Sequence, residues 1–181
     1  LSRLVVSASW LSELGRLQGL ESLDLGFQEL TDAATAAAGV QFPYLPSLAH
    51  MRVIVWAGLP ELRLQLEDLP GLTELELWGG ASRVSLQASR PAPQLRRLTC
   101  AAGQAAVSFA ALPGLSSASL SASLQLEDAA SLAYAPALTR LDLWGQCEWT
   151  QSALEVLRSL PPSVRCLEML GSWPQAAMNL V

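Results

Sequence analysis

Leu69-Pro70-Gly71-Leu72-Thr73-Glu74-Leu75-Glu76-Leu77-Trp78-Gly79-Gly80 is the stretch that decides how the chain folds. Its kernel is Leu-x-x-Leu-x-Leu, carried by Leu72, Leu75 and Leu77, with a proline two residues upstream. Leu75 and Leu77 alternate with Glu74, Glu76 and Trp78, which is the period of a strand that is apolar on one side only. A proline suits the entrance to such a strand, because it donates no hydrogen bond and biases its predecessor toward extended geometry.

The phrase recurs along the sequence. It returns as Leu1-x-x-Leu4-x-Val6, Leu20-x-x-Leu23-x-Leu25, Leu48-x-x-Met51-x-Val53 and Leu95-x-x-Leu98-x-Cys100. Further copies are Leu115-x-x-Ala118-x-Leu120, Leu138-x-x-Leu141-x-Leu143 and Val164-x-x-Leu167-x-Met169. The copies begin at 1, 20, 48, 72, 95, 115, 138 and 164, and the last six share the proline at the same offset. A single short strand cannot bury its apolar edge, but parallel copies stacked about 4.8 Å apart make a continuous aliphatic column.

The totals agree with a packed, repetitive core. Of 181 residues, 51% are hydrophobic and 15% charged, which excludes a disordered chain. No apolar run approaches the ~18–20 residues that cross a bilayer, so no membrane role is expected. A net charge of −5 argues against nucleic acid as a partner. Cys100, Cys147 and Cys166 have no metal-ligand spacing; Cys100 falls on a core position and reads as a small buried hydrophobe. Three cysteines leave one over if two pair, and the reading preferred is a reducing, cytoplasmic setting. The sequence opens without Met and inside a repeat, so further repeats or domains of a longer chain are expected.

Spacings of 19 to 28 residues around Leu-x-x-Leu-x-Leu match the leucine-rich repeat, whose period is about 20–29 residues. The chain resembles the leucine-rich repeat superfamily over nearly all of its length. The resemblance implies an α/β solenoid, a horseshoe with a parallel sheet on its concave side and short helices mixed with extended or loop segments outside. It also implies one domain over residues 1–181, of about eight repeats. Leu30–Gly39, with Thr31 or Asp32 as cap, and Thr150–Leu160, with Ala153, Leu154, Leu157 and Leu160 on one face, predict helical returns. Such repeats look like the ribonuclease-inhibitor and F-box-associated types. The central repeats are too short for helices, and their couplets Val84-x-Leu86 and Val107-x-Phe109, at equal offsets, predict extended or irregular returns; Leu62-x-Leu64-x-Leu66 leaves the third register open. One feature departs from the family. The ninth position, usually Asn or Cys, holds Gln28, Gly80, Gly103, Ser123, Gln146 and Ser172, so the turn's backbone groups must find other partners.

The outward strand residues define the expected binding face. Aligned by repeat, they bring Asp24, Arg52, Glu76 and Asp142 into one row and His50, Glu74, Arg97 and Arg140 into the row before it, with Trp78 and Trp144 in the row after. Opposite charges on neighbouring strands stitch a sheet at roughly 0.2–1 kcal/mol per pair, and the same strip offers polar recognition. The tryptophans serve either as interface anchors or as packing. Trp10, Trp56, Trp149 and Trp173 are expected in turns or on the convex side.

Ser22, His50 and Glu74 share a row, but aligned strands supply no elbow for a nucleophile and no oxyanion donors. His50 is the only histidine, and Gly79-Gly80 lacks the rest of a phosphate loop. The expectation is a non-catalytic module with no cofactor, no metal and no small-molecule substrate, binding a protein partner on the concave face. The alternatives by resemblance are the substrate-receptor part of an F-box ubiquitin ligase and a cytoskeletal or axonemal scaffold. An extracellular receptor fragment would call for glycosylation sites, and the sequence has no Asn-x-Ser/Thr.

Overall fold

Alternating side chains turn each kernel into a short strand. The computed structural model describes residues 8–27, 42–55, 61–81, 83–124, 130–144 and 151–170. The strands are β1 (Ser22–Phe27), β2 (His50–Val55), β3 (Glu61–Gln65), β4 (Glu74–Gly79), β5 (Arg83–Gln87), β6 (Arg97–Val107), β7 (Ser117–Leu124), β8 (Arg140–Trp144) and β9 (Cys166–Leu170). The result is an α/β fold with an open, parallel sheet and few helices. Its main line runs β1-β2-β4-β6-β7-β8-β9, so that successive kernels are hydrogen-bonded neighbours. A second line pairs β3 with β5, and β5 with the distal half of β6.

The register explains why the kernels share their spacing. Leu23, Met51, Leu75, Leu98, Ala118, Leu141 and Leu167 stand side by side across the main line. So do Leu25, Val53, Leu77, Cys100, Leu120, Leu143 and Met169. All are buried except Leu167 and Met169 on β9, which are half-buried. Burying one such leucine contributes about 1.5–3 kcal/mol, so the columns carry the fold.

The strand entrances are built from two repeated devices. Leu48, Leu72, Leu115, Leu138 and Val164 each donate an N–H to the carbonyl three residues back, at 3.1–3.3 Å. The prolines therefore sit second in a four-residue turn, where their fixed φ is already correct. Next, one carbonyl of each coil accepts the two N–H groups that open the following strand. Glu21, Ala49, Thr73, Arg96, Ser116 and Thr139 all do this at 2.8–3.1 Å. The hydroxyls of Thr73, Ser116 and Thr139 add a third bond to the same carbonyls, at 2.9–3.1 Å.

The turn after the strand manages without asparagine. Gly80 N–H donates to the Val55 carbonyl at 2.7 Å, and Gly103 N–H to that of Ala81 at 3.1 Å. Gly79 has φ +111°, and a Cβ there would strike the Val55 carbonyl oxygen. Only glycine fits that approach.

Several expectations need correction. Val84-x-Leu86 is extended on β5 and Val107 ends β6, but Phe109 opens a 3-10 turn, and the two couplets are not counterparts, because Leu86 stands beside Val107 and Val84 beside Ala105. β6 runs from the first line to the second as one strand where β4 and β5 are separate, and it covers Arg97 to Gln104 in two residues fewer than the preceding coil takes from Glu74 to Arg83. Leu62 and Leu64 belong to the second line, beside Val84 and Leu86. The return helix α2 (Gln151–Arg158) forms; among its described side chains Val156 is fully buried and Leu157 half-buried, as is Leu160 just after it, while the side chains of Ala153 and Leu154 lie outside the described residues. A further helix, α1 (Ala8–Leu14), buries Leu11 and Leu14 and was not expected. The first kernel, the Leu30–Gly39 helix, the Thr150 cap and the side chains of Trp10, Trp56, Trp149 and Trp173 lie outside the described residues.

Candidate functional site

Register places every predicted face residue on the outer side of the main line. Ser22, His50, Glu74, Arg97, Ser117, Arg140 and Cys166 form one row; Asp24, Arg52, Glu76, Thr99, Ser119, Asp142 and Glu168 form the next. With strands about 4.8 Å apart, opposite charges in a row fall within reach of one another.

Two charged clusters form within the rows, and a third reaches from one row to the next. Arg52 lies 2.7 Å from Glu76 and 3.8 Å from Asp24. Glu74 takes Arg97 at 2.9 Å on one side and His50 Nδ1 at 3.3 Å on the other. Arg140 donates to Asp142 at 3.0 Å and to Glu168 at 2.7 Å. The hydrogen bond from Arg52 holds the Glu76 carboxyl below its usual range, and Glu76 in turn raises the guanidinium of Arg52. Arg140 is raised chiefly by its hydrogen bond to Asp142. The pairs made by Arg52 and Arg97 are solvated, so each contributes little to stability and mainly fixes side-chain positions, whereas Asp142 is buried beneath Arg140. Asp24, His50, Arg52, Met51, Glu74 and Glu76 surround a depression of about 270 Å³.

Trp78 and Trp144 meet edge to face, with ring centroids 6.2 Å apart and planes at 63°. Their strands are three spacings apart, about 14 Å along the sheet. The rings close that gap because the row between them holds only Ala101 and Ser121. Such a contact contributes ~0.5–1.5 kcal/mol beyond burial. Trp78 also donates Nε1–H to Glu76 at 3.3 Å, tying the aromatic pair to the first cluster. Trp144 stays 37% exposed, and Leu170, next in the row, is 58% exposed. An apolar edge therefore borders the charged rows.

Comparison with protein-family models, curated proteins and solved structures finds no match.

One atom on this face has no partner of its own. Asp142 is only 8% exposed; its Oδ2 accepts from Arg140, while Oδ1 is buried without a hydrogen-bond partner. Ser22 is in register with His50, and His50 with Glu74, so the Ser-His-acid row does exist as a line of neighbours. Among the described residues no group of three or more His, Cys, Asp or Glu is arranged to hold a metal ion, and no helix is long and apolar enough to cross a membrane.

Sequence reasoning named ten face residues as binding residues; it placed Glu168, the second acid on Arg140, and the small pair Ala101 and Ser121 in the outward rows but gave them no role. Glu168 was legible from its position in the Asp24–Asp142 row. The importance of Ala101 and Ser121 lies in what they lack, and only the geometry of the tryptophans reveals it.

Proposed function

We propose that the chain is a leucine-rich-repeat solenoid, a single domain of stacked coils, whose outer strand rows form a concave surface that recognises a protein partner without catalysis. The in-register order of the kernels supports the repeat assignment. The cytoplasmic setting is supported by Cys100 and Cys166, which are free thiols. The observation that carries the recognition reading is the Trp78–Trp144 pair, held edge to face above Ala101 and Ser121 and beside the unpartnered Oδ1 of Asp142. Paired aromatics next to fixed charges combine what binding energy and orientation need: apolar area at low entropic cost and directional polar groups.

A random peptide display library selected on the immobilised chain tests this. Selected peptides should lose at least about 30-fold in affinity for the Trp78→Ala/Trp144→Ala variant, the equivalent of ~2 kcal/mol for an interface anchor. Peptides that bind the folded double variant unchanged would refute the aromatic anchor and, with it, this face as the recognition surface.

A further inference from the structure

The coils are not all plugged alike on the side away from the recognition face. After the second line of strands, three coils make a short 3-10 turn, Leu66–Asp68, Phe109–Ala111 and Ser131–Tyr134, and each inserts one large apolar side chain: Leu66, Phe109 and Leu132. The coil between the first two does not. There the register that sets Gln65 beside Gln87 puts Ala88 where Leu66 and Phe109 sit in their own coils. Three residues before the next kernel it carries Ala92, where its neighbours carry the buried Leu69 and Leu112. The coil ending at Ala135 is also small at that offset but keeps Leu132 as its plug.

The cause is Pro91. In the following coil the 3-10 turn is closed by Ala111 N–H donating to Ser108 at 3.1 Å. Counted back from the next kernel, Pro91 occupies the offset of Ala111 in a coil one residue longer; it has no N–H, and it disfavours helical geometry at Arg90. Ala92 N–H instead donates across to the Ala111 carbonyl at 2.7 Å, and Ser89-Arg90 swings out as a bend. A cavity of about 610 Å³ remains, floored by Leu66, Leu69, Leu72 and Leu95 and edged by Pro70 and Pro93. Its size and lining are those of a small-molecule site, ~300–1,000 Å³ with few polar groups.

Two charges stand at the rim. Glu67 accepts the Ser89 N–H, and its carboxyl is held below the usual range first by the Ser89 hydroxyl and then by backbone groups, so its charge is already engaged. Arg90 lines the cleft, is exposed, and forms no ion pair among the described residues. We propose that this cleft binds a small amphipathic anion, its apolar chain or ring seated where the missing plug would stand and its charged group facing Arg90. The guanidinium fork suits a carboxylate or another planar or tetrahedral oxyanion.

The test uses octanoate and the neutral 1-octanol as probes, titrated into the full chain and followed by methyl NMR. Octanoate should shift the methyls of Leu66, Leu69, Leu72 and Leu95 saturably and leave those of Leu23 and Leu141 in place. Arg90→Gln should weaken octanoate about three- to ten-fold and leave octanol unchanged. Ala92→Leu, which restores the neighbours' side chain, should abolish both, while Trp78→Ala should alter neither. Shifts that fail to saturate or spread over the whole chain would overturn the proposal. So would octanoate binding undiminished in a folded Ala92→Leu protein, or an Arg90→Gln effect that is absent or equal for the two probes.

Discussion

Leu75→Ala is the substitution that bears hardest on the stacking. Leu75 is fully buried on β4, with Met51 on one side and Leu98 on the other, both also buried. Truncation removes its transfer free energy and leaves a cavity whose cost depends on how far the surroundings collapse. Leu→Ala changes in cores cost about 2.7–5.0 kcal/mol over that range. Here β2 and β6 are held at strand spacing by backbone bonds at the Ala49 and Thr73 carbonyls, so neither neighbour can move in. The cost should therefore fall in the upper half, about 4 kcal/mol. Leu167 supplies the internal control. It occupies the same column on β9, is half-buried, and has only Leu141 beside it among the described strands, so Leu167→Ala should cost about half as much. Urea unfolding followed by both far-UV circular dichroism and tryptophan fluorescence measures the two, provided the probes give coincident transitions. A Leu75→Ala cost below ~1 kcal/mol, or one no larger than that of Leu167→Ala, would refute the stacked column.

Two further predictions follow from single residues. Gly79→Ala should destabilise by roughly 1–3 kcal/mol, since a side chain there meets both a positive φ and the Val55 carbonyl, whereas Gly19→Ala, with nothing within 4 Å, should be neutral in the same unfolding assay. Burial pushes the Cys100 thiol up to about 12 from 9.0, so the folded chain keeps a proton that the unfolded chain gives up. That contribution to stability is whole below pH 9.0 and is lost progressively as pH rises toward 12. Iodoacetamide with peptide mapping should accordingly modify Cys166 in the native protein and leave Cys100 unmodified until the chain unfolds.

The main strand line was legible because its signal is redundant. Each kernel gives a period-two pattern, and equal offsets from the prolines fix which residue stands beside which, so Arg52 falls between Asp24 and Glu76 without knowledge of any other contact. The return path was less legible for a physical reason. Its length varies, and a crossing made by a tight glycine turn at Gly79-Gly80 or by a continuous strand at Ala101–Gln104 leaves no comparable mark in the sequence. The role of the prolines was misplaced by one step: a residue poor at donating hydrogen bonds suits both a strand entrance and the second position of a turn, and only the N–H groups of Leu72 and Leu115 distinguish them. On the face, charge pairing could be anticipated from sign and row alone. The Trp78–Trp144 contact could not, because same-row residues three strands apart ordinarily do not touch. The unplugged coil was written in Ala88, Pro91 and Ala92, but its meaning requires the neighbouring coils for comparison.

The most direct measurement is a nuclear Overhauser contact between the indole protons of Trp78 and Trp144 in solution. Stacking in the stated register predicts a clear cross-peak, because the ring centroids are 6.2 Å apart with edge toward face. A slip of one residue in β4 or β8 sends its tryptophan to the opposite side of the sheet, and a slip in β6 or β7 replaces Ala101 or Ser121 between the rings. Assigned indole spectra without that cross-peak would contradict the register, and with it the surface built upon it.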